Sequence, residues 1–287
     1  MRDCETTLLV QGLHFAEAPR WHDGRLWLSD IFGRRVLTVE ESGEVATVAE
    51  LPDALPCGLG FLPDGTPLVV NMQRPEILAL GPSGPRVHAD VSHLAVGGLN
   101  DMVVDDRGRA YVGSMGTHGA LVPRPVAADG VVILVEPDGS ARVVADEMDA
   151  PNGPCLLPDG GYVVAEFPAS RLVGFTRAPD GSLADRTVWA DLHPASADGI
   201  AADGAGAIWT ASPRDHECRR VLRGGEVSDR IPVGDAMPLA CALGGSDGHT
   251  LFILAALGGE EAIKERTCRS VVLTARVAVG AHAGAPR

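Results

Sequence analysis

The stretch Asn152–Glu166, NGPCLLPDGGYVVAE, opens on a carboxamide and a glycine, runs through a short apolar segment, turns at an Asp-Gly pair and returns as an alternating strand. Five other stretches follow the same plan. They are EAPRWHDGRLWLSD from Glu17, CGLGFLPDGTPLVVN from Cys57, NDMVVDDRGRAYVGS from Asn100, DGIAADGAGAIWTAS from Asp198 and CALGGSDGHTLFILA from Cys241. Their starts lie 40, 43, 52, 46 and 43 residues apart, which is the length of one four-stranded propeller blade. Each unit continues with a second hairpin, such as RVLTVEESGEVATVA from Arg35 or VVILVEPDGSARVVA from Val131. Asp-Gly and Ser-Gly pairs between alternating runs mark hairpins, because glycine accepts the positive φ of a tight turn.

The expected fold is therefore all-β, a six-bladed β-propeller with a metal ion in its central tunnel. It spans residues 1–287 as one domain, with 278–287 as a loose C-terminal tail. Ring closure is expected from Thr6–Gln11 pairing beside Ser270–Val277. A β-sandwich would not repeat one motif six times, and an open array would need capping segments that the sequence lacks.

Composition agrees. Glycine (35) and proline (21) are abundant and aromatics make only 4% of the chain, so Leu, Val and Ala must supply most of the packing. The net charge is −14, with a single lysine, Lys264, among 24 basic residues. No stretch clusters basic with aromatic residues, which argues against a nucleic-acid partner. No run approaches the roughly 20 apolar residues of a membrane helix, and the first residues form no secretory signal. Six dispersed cysteines without CxxC pairs fit reduced thiols. The expected setting is cytoplasmic and the expected partner a small-molecule substrate, with no nucleic acid and no membrane. No feature of the sequence sets an oligomeric state.

In a propeller, equivalent positions of successive blades are related by rotation about the tunnel. The residues opening the six motifs, Glu17, Cys57, Asn100, Asn152, Asp198 and Cys241, are expected to ring the tunnel mouth. Four of them, Glu17, Asn100, Asn152 and Asp198, carry oxygen donors with a formal charge of −2. That set suits calcium, which accepts carboxylate and amide oxygens. Magnesium, manganese and zinc rank behind it, zinc preferring His and Cys. Cys57 and Cys241 read as buried thiols.

These residues resemble the regucalcin (senescence marker protein), gluconolactonase and luciferin-regenerating group of propellers and, more distantly, diisopropyl fluorophosphatase. The resemblance runs from FAEAPRW around Glu17 to LGGSDGHTLFIL after Cys241. It implies metal ligation by Glu17, Asn152 (APNGP) and Asp198 (SADGI), with Asn100 (GGLND) as a ligand or facing substrate. It also implies calcium-dependent hydrolysis of a lactone or related ester. Sugar-acting members carry an arginine two residues before that asparagine, where this chain has Gly98, and the family's EGP motif is altered to Glu17-Ala18-Pro19. Simple sugar lactones are accordingly expected to be poor substrates.

Asp198 is the candidate catalytic base, one oxygen on the metal and one toward substrate. Asn100, Asp101 and His118 are candidate substrate contacts, with His216 and Glu166 placed near the pocket. Arg74 and Arg124 are the candidates for replacing the missing arginine. No GxSxG, GxGxxG or Walker-type motif occurs. Two alternatives stay open: a tailoring enzyme of specialised metabolism that opens, closes or isomerises rings on the same metal site, and a non-catalytic calcium-binding propeller.

Overall fold

The computed structural model describes residues 5–117 and 128–282. They form six four-stranded antiparallel sheets arranged as the blades of a six-bladed β-propeller. The inner strands are Ala16–His22, Pro56–Phe61, Leu99–Val104, Pro151–Leu156, Ile200–Ala202 and Met237–Gly244. Each packs against the inner strands of its two neighbours, and the first meets the last, so the ring is closed. The glycine of every first hairpin (Gly24, Gly65, Gly108, Gly160, Gly206 and Gly248) has φ between 74° and 87°, as its Asp-Gly or related turn demands.

Closure follows the expected route. Thr7–Leu13 pairs antiparallel with Arg269–Arg276, Thr7 opposite Thr274 and Leu13 opposite Ser270. The last blade thus takes strands from both ends of the chain, which leaves no open inner edge.

Aliphatic side chains fill the space between blades. Leu68 and Ile77 of the second blade meet Leu99, Met102, Val112 and Ile133 of the third. The few aromatics do large shares of this work: Trp209, Tyr111, Tyr162, Phe61 and Phe252 are all fully buried. Each such side chain contributes about 1.5–3 kcal/mol by leaving water.

Charged side chains also hold blades together. Asp105, in the first-hairpin turn of the third blade, is completely buried. It accepts hydrogen bonds from the Arg107 and Arg109 amides, each at 2.9 Å, and pairs with the guanidinium groups of Arg109 and Arg177, each at 2.7 Å. Arg177 belongs to the fourth blade, so this carboxylate joins two sheets. Asp105→Ala would leave two guanidinium groups without their shared anion. It is expected to lower unfolding stability by about 3–5 kcal/mol, the cost of breaking a buried pair from one side. Urea denaturation checks this, and a loss below about 1 kcal/mol would contradict it.

The end of the chain differs from expectation. As far as residue 282 it is not a loose tail: the Val277 amide donates to the His249 carbonyl (3.0 Å), Ala281 to Gly248 (2.9 Å), and Gly204 to the Gly280 carbonyl (2.8 Å). The segment therefore crosses from the sixth blade toward the fifth, where Ala281 lines a small cavity of about 70 Å³ beside Arg20, Cys155 and Cys241. Backbone hydrogen bonds within an otherwise unpatterned Gly-Ala sequence hold it, so no periodicity announced them. Residues 283–287 lie outside the described residues.

Helix α1 (Gly259–Lys264) lies between the second and third strands of the sixth blade and is the only α-helix among the described residues. No helix among them is long and apolar enough to cross a membrane.

Candidate functional site

Four of the six motif-opening residues line one cavity. Glu17, Asn100, Asn152 and Asp198 meet at a pocket of about 380 Å³. Asn100 and Asp198 are buried, and Glu17 and Asn152 partly so. Bulged starts of the inner strands place three of them and Cys57, while Asp198 is set just before its strand by the hydrogen bond from its amide to the Ala211 carbonyl. Ala16 pairs with Asp30, Pro56 with Asn71, Leu99 with Ser114 and Pro151 with Glu166. In each case the next residue turns toward the axis.

The glycine following several of these residues has a packing reason. A Cβ on Gly199 would stand 2.4 Å from the Ala240 Cβ, one on Gly153 2.5 Å from the Gly199 Cα, and one on Gly58 2.5 Å from the Met102 nitrogen. Glycine lets neighbouring inner strands close to the small radius at which four side chains reach one point. In the first blade the same place is held by Ala18, buried, at φ 51°. Its amide donates to Glu17 Oε2 at 3.0 Å, which aims that carboxylate.

The sixth ring position is a correction. Leu239 lines the cavity, its carbonyl accepts from the Gly199 amide, and Ala240 packs against Gly199 as Gly199 does against Gly153, so the ring residue of the last blade is Leu239, not Cys241. Cys241 lies two residues farther along the strand, in the core with Trp209, Leu243 and Ile253. Its Sγ is 3.6 Å from the Trp209 carbonyl. Cys57 does stand in the ring, but its Sγ donates to Asn100 Oδ1 at 3.4 Å. Burial, then the Glu17 charge, push its thiol well above the usual range, so it does not supply a thiolate.

The electrostatics of the four donors are unusual. Burial, reinforced by Asp101, pushes Glu17 up to about 8 against the opposing effects of the Ala18 amide and Arg20. Burial also drives Asp198 well above the carboxylate range, with Glu17 and Asp101 adding to it and an Asn152 hydrogen bond opposing. Arg20 offsets these charges only in part. Its guanidinium reaches from the first blade to the third, donating to Asp101 Oδ1 at 2.9 Å and to the Met102 carbonyl. The remaining cations on the cavity wall, Lys264 and Arg266, are on or beside α1, Lys264 3.9 Å from Glu260 and Arg266 over the Phe32 ring. Two buried carboxylates with two carboxamides and no dedicated counter-ion fit a hard divalent cation. Among the described residues no group of three or more His, Cys, Asp and Glu side chains is placed to hold a metal. This donor set is therefore unlike the nitrogen and sulfur sets of zinc.

Other expected site residues fall elsewhere. Asp101 does not line the cavity: its carboxylate takes the Arg20 guanidinium and the Met102 amide (2.8 Å), which makes it a support beneath Asn100. Glu166 is fully buried between the Asp149 amide, Arg171 and Arg186, where it joins strands rather than serving the cavity. His216 turns its Nδ1 to the Ala236 carbonyl at 2.8 Å. Arg74 is half exposed near Glu76 and Asp53 and does not reach the cavity. His118 and Arg124 lie outside the described residues. At Gly98 an added Cβ would meet only the Met72 carbonyl, at 3.9 Å, an ordinary contact, so glycine there is not required by crowding at the Cβ.

The cavity wall was not legible beforehand. Phe15, Phe32, Met72, Met115 and Phe167 come from loops of four blades, and Ile263 from α1. The one signal available was the position of the only lysine within GGEEAIKER.

Comparisons with known proteins agree with this architecture. The family model described as SMP-30/gluconolactonase/LRE-like region matches residues 15–257. A 6-deoxy-6-sulfogluconolactonase of Pseudomonas putida is 27% identical over 245 residues, 83% of this chain and 81% of that protein. A luciferin-regenerating enzyme structure superposes with a TM-score of 0.83 at 17% identity, covering 98% of each chain. A calcium-binding regucalcin of Agrobacterium tumefaciens superposes with a TM-score of 0.75 at 19% identity, covering 96% of each.

Proposed function

The chain belongs to the SMP-30/gluconolactonase/LRE-like family, and from that premise we propose that it is a calcium-dependent lactonase acting on apolar rather than sugar lactones. The observation that carries this reading is the cavity itself: a floor of four oxygen donors, two of them carboxylates without a counter-ion, under walls of aromatic and aliphatic side chains. The names of the P. putida lactonase and the A. tumefaciens calcium-binding protein support the two halves of it. A cavity of about 380 Å³ opening onto the donors favours catalysis over a purely structural ion.

Glu17, Asn152, Asp198 and Asn100 would hold the ion. Bound there, calcium supplies Lewis acidity to the acyl oxygen of the lactone. The chain's own groups do the rest. Asp198, whose burial strengthens it as a base, takes a proton from a water molecule. The water oxygen bonds to the acyl carbon, the bond from that carbon to the ring oxygen breaks, and the ring alkoxide receives the proton. Asn100 faces the ester from the third blade, and Arg20 with Asp101 holds that blade's strand in place.

A pH-stat assay on a panel of lactones tests the reading. An alkyl δ-lactone is expected to exceed gluconolactone in kcat/KM by about 10–100-fold, since Gly98 supplies no charge-assisted donor to hydroxyls. If no lactone is opened, the lactonase reading falls. If gluconolactone is preferred, the apolar specificity falls alone.

A further inference from the structure

The polar groups of the cavity are confined to its two ends. Besides the four donors of the floor, the charged or hydrogen-bonding side chains that line it are Glu260, Lys264 and Arg266, all on or beside α1. Between the two ends the lining among the described residues contains no Ser, Thr, Tyr, Gln or His, only apolar side chains such as Phe15, Met72, Met115 and Phe167. A ligand that satisfies this surface has an ester at one end, a water-avoiding middle, and a second polar group at the other end.

The sign of the second group follows from the mouth. In a chain of net charge −14, the single lysine is at this opening. Its partner, Glu260, is 3.9 Å away, with both side chains about half exposed (52% and 53%). An exposed pair this loose contributes little, so the ammonium can exchange it for another anion at small cost. Arg266 makes no ion pair among the described residues. Its guanidinium lies 5.7 Å from the centroid of Phe32, a cavity-lining ring, and a backbone φ of 58° directs it there. In the neighbouring fifth blade, Arg214 lies 5.2 Å from the centroid of Phe167, another lining ring, again without a carboxylate partner among the described residues. Stacking on an aromatic face holds a guanidinium in place while leaving its N–H edges free for a planar oxyanion.

We propose that Lys264 and Arg266 form an anion anchor, and that the substrates are lactones whose apolar body ends in a carboxylate or a comparable oxyanion. The proposal rests on the lactonase reading for the ester end alone; the anchor is a property of the mouth. Arg214 extends the cationic rim from the neighbouring fifth blade. The bound acid sits at the mouth, its apolar middle fills the walls, and the ester carbonyl reaches the four donors.

Two probes of equal length separate the possibilities: a δ-lactone bearing an alkyl chain that ends in a carboxylate, and its methyl ester. The wild-type protein is expected to prefer the carboxylate in kcat/KM by about 10–100-fold, the range that one or two charge-assisted hydrogen bonds supply. Added salt should shrink that preference without affecting the methyl ester. The double variant Lys264→Gln, Arg266→Gln, altered only at exposed positions, should lose the preference, the carboxylate probe falling about 10–100-fold further than the methyl ester. The single lysine permits a second route in the unmutated protein. Acetylation, which removes the Lys264 charge, should reduce the preference, and reductive dimethylation, which keeps it, should not.

Equal losses for both probes in the double variant, or no wild-type preference, would overturn the anchor. A binding measurement separates this from failure of the lactonase reading. The tetrahydropyran carrying the same carboxylate chain, titrated calorimetrically into calcium-loaded protein, should bind about 10–100-fold more weakly to the double variant. Equal affinity overturns the anchor whether or not either lactone is hydrolysed.

Discussion

Asp198→Asn is expected to reduce kcat by roughly 10²–10⁴-fold, the contribution of a positioned general base, while the protein keeps its fold and its calcium. The substitution replaces one side-chain oxygen by an amide nitrogen of nearly the same size. The other oxygen remains a donor suited to calcium. The backbone that sets the residue is untouched: the Asp198 amide donates to the Ala211 carbonyl at 3.0 Å and the Gly199 amide to the Leu239 carbonyl at 2.8 Å. A neutral amide cannot take a proton from water, so kcat falls while KM moves little. Asn152→Asp is the matched control. It keeps an oxygen donor and adds charge, and its loss should be smaller by at least tenfold. Steady-state kinetics with the metal content of each variant measured decides the matter. A calcium-loaded Asp198→Asn protein turning over near the wild-type rate would remove Asp198 from the mechanism.

Stripping calcium with a chelator should abolish lactone hydrolysis, by roughly a thousandfold or more, since Lewis-acid stabilisation is worth several kcal/mol. Calcium alone should restore it. Stability supplies a readout independent of turnover. In the metal-free protein Glu17 is raised from 4.5 to about 8, and Asp198 is raised in the same direction. Between those values the folded state binds more protons than the unfolded chain, so unfolding stability falls as pH rises through about 8. Calcium must displace these protons, so its affinity rises with pH over the same window. The gain in Tm on adding calcium should therefore be small near pH 5 and grow toward pH 8.5, reaching the equivalent of about 2.7 kcal/mol at a hundredfold excess over Kd. A gain in Tm that is flat with pH would mean that the ion does not sit on these carboxylates.

Blade number, ring closure and the four oxygen donors were all readable before any coordinates. Each rests on a local signal repeated six times, and repetition converts weak turn and strand patterns into a strong one. Cys241 shows where that stops. The last repeat resembles the second because both carry a cysteine before small and apolar residues, CALG beside CGLG. The bulge of the last inner strand brings Leu239 to the ring instead, and pairing partners are set by backbone hydrogen bonds that a local pattern does not show. Asp101 illustrates a second limit. Adjacency to Asn100 placed it correctly near the axis, but side chains alternate along a strand, and Arg20, eighty-one residues away in sequence, takes its carboxylate. The wall and mouth were hidden for a third reason. They come from loops and one six-residue helix, too short to carry a period, and contacts across blades bring them together.

The floor of the tunnel has its own bearing on the traffic of molecules. Arg20 bars the axis from the first blade to the third, and the Gly280–Ala281 stretch lies across the far side. Among the described residues these features obstruct that side, which leaves the face that carries α1 as the way in. On the proposed reading a ligand would leave past the cations it met on entry, and hydrolysis would change what must leave, a neutral ester becoming a second acid. Departure, rather than entry, becomes the step on which the doorway charges act most strongly, and a product acid in solution competes with substrate for the same threshold.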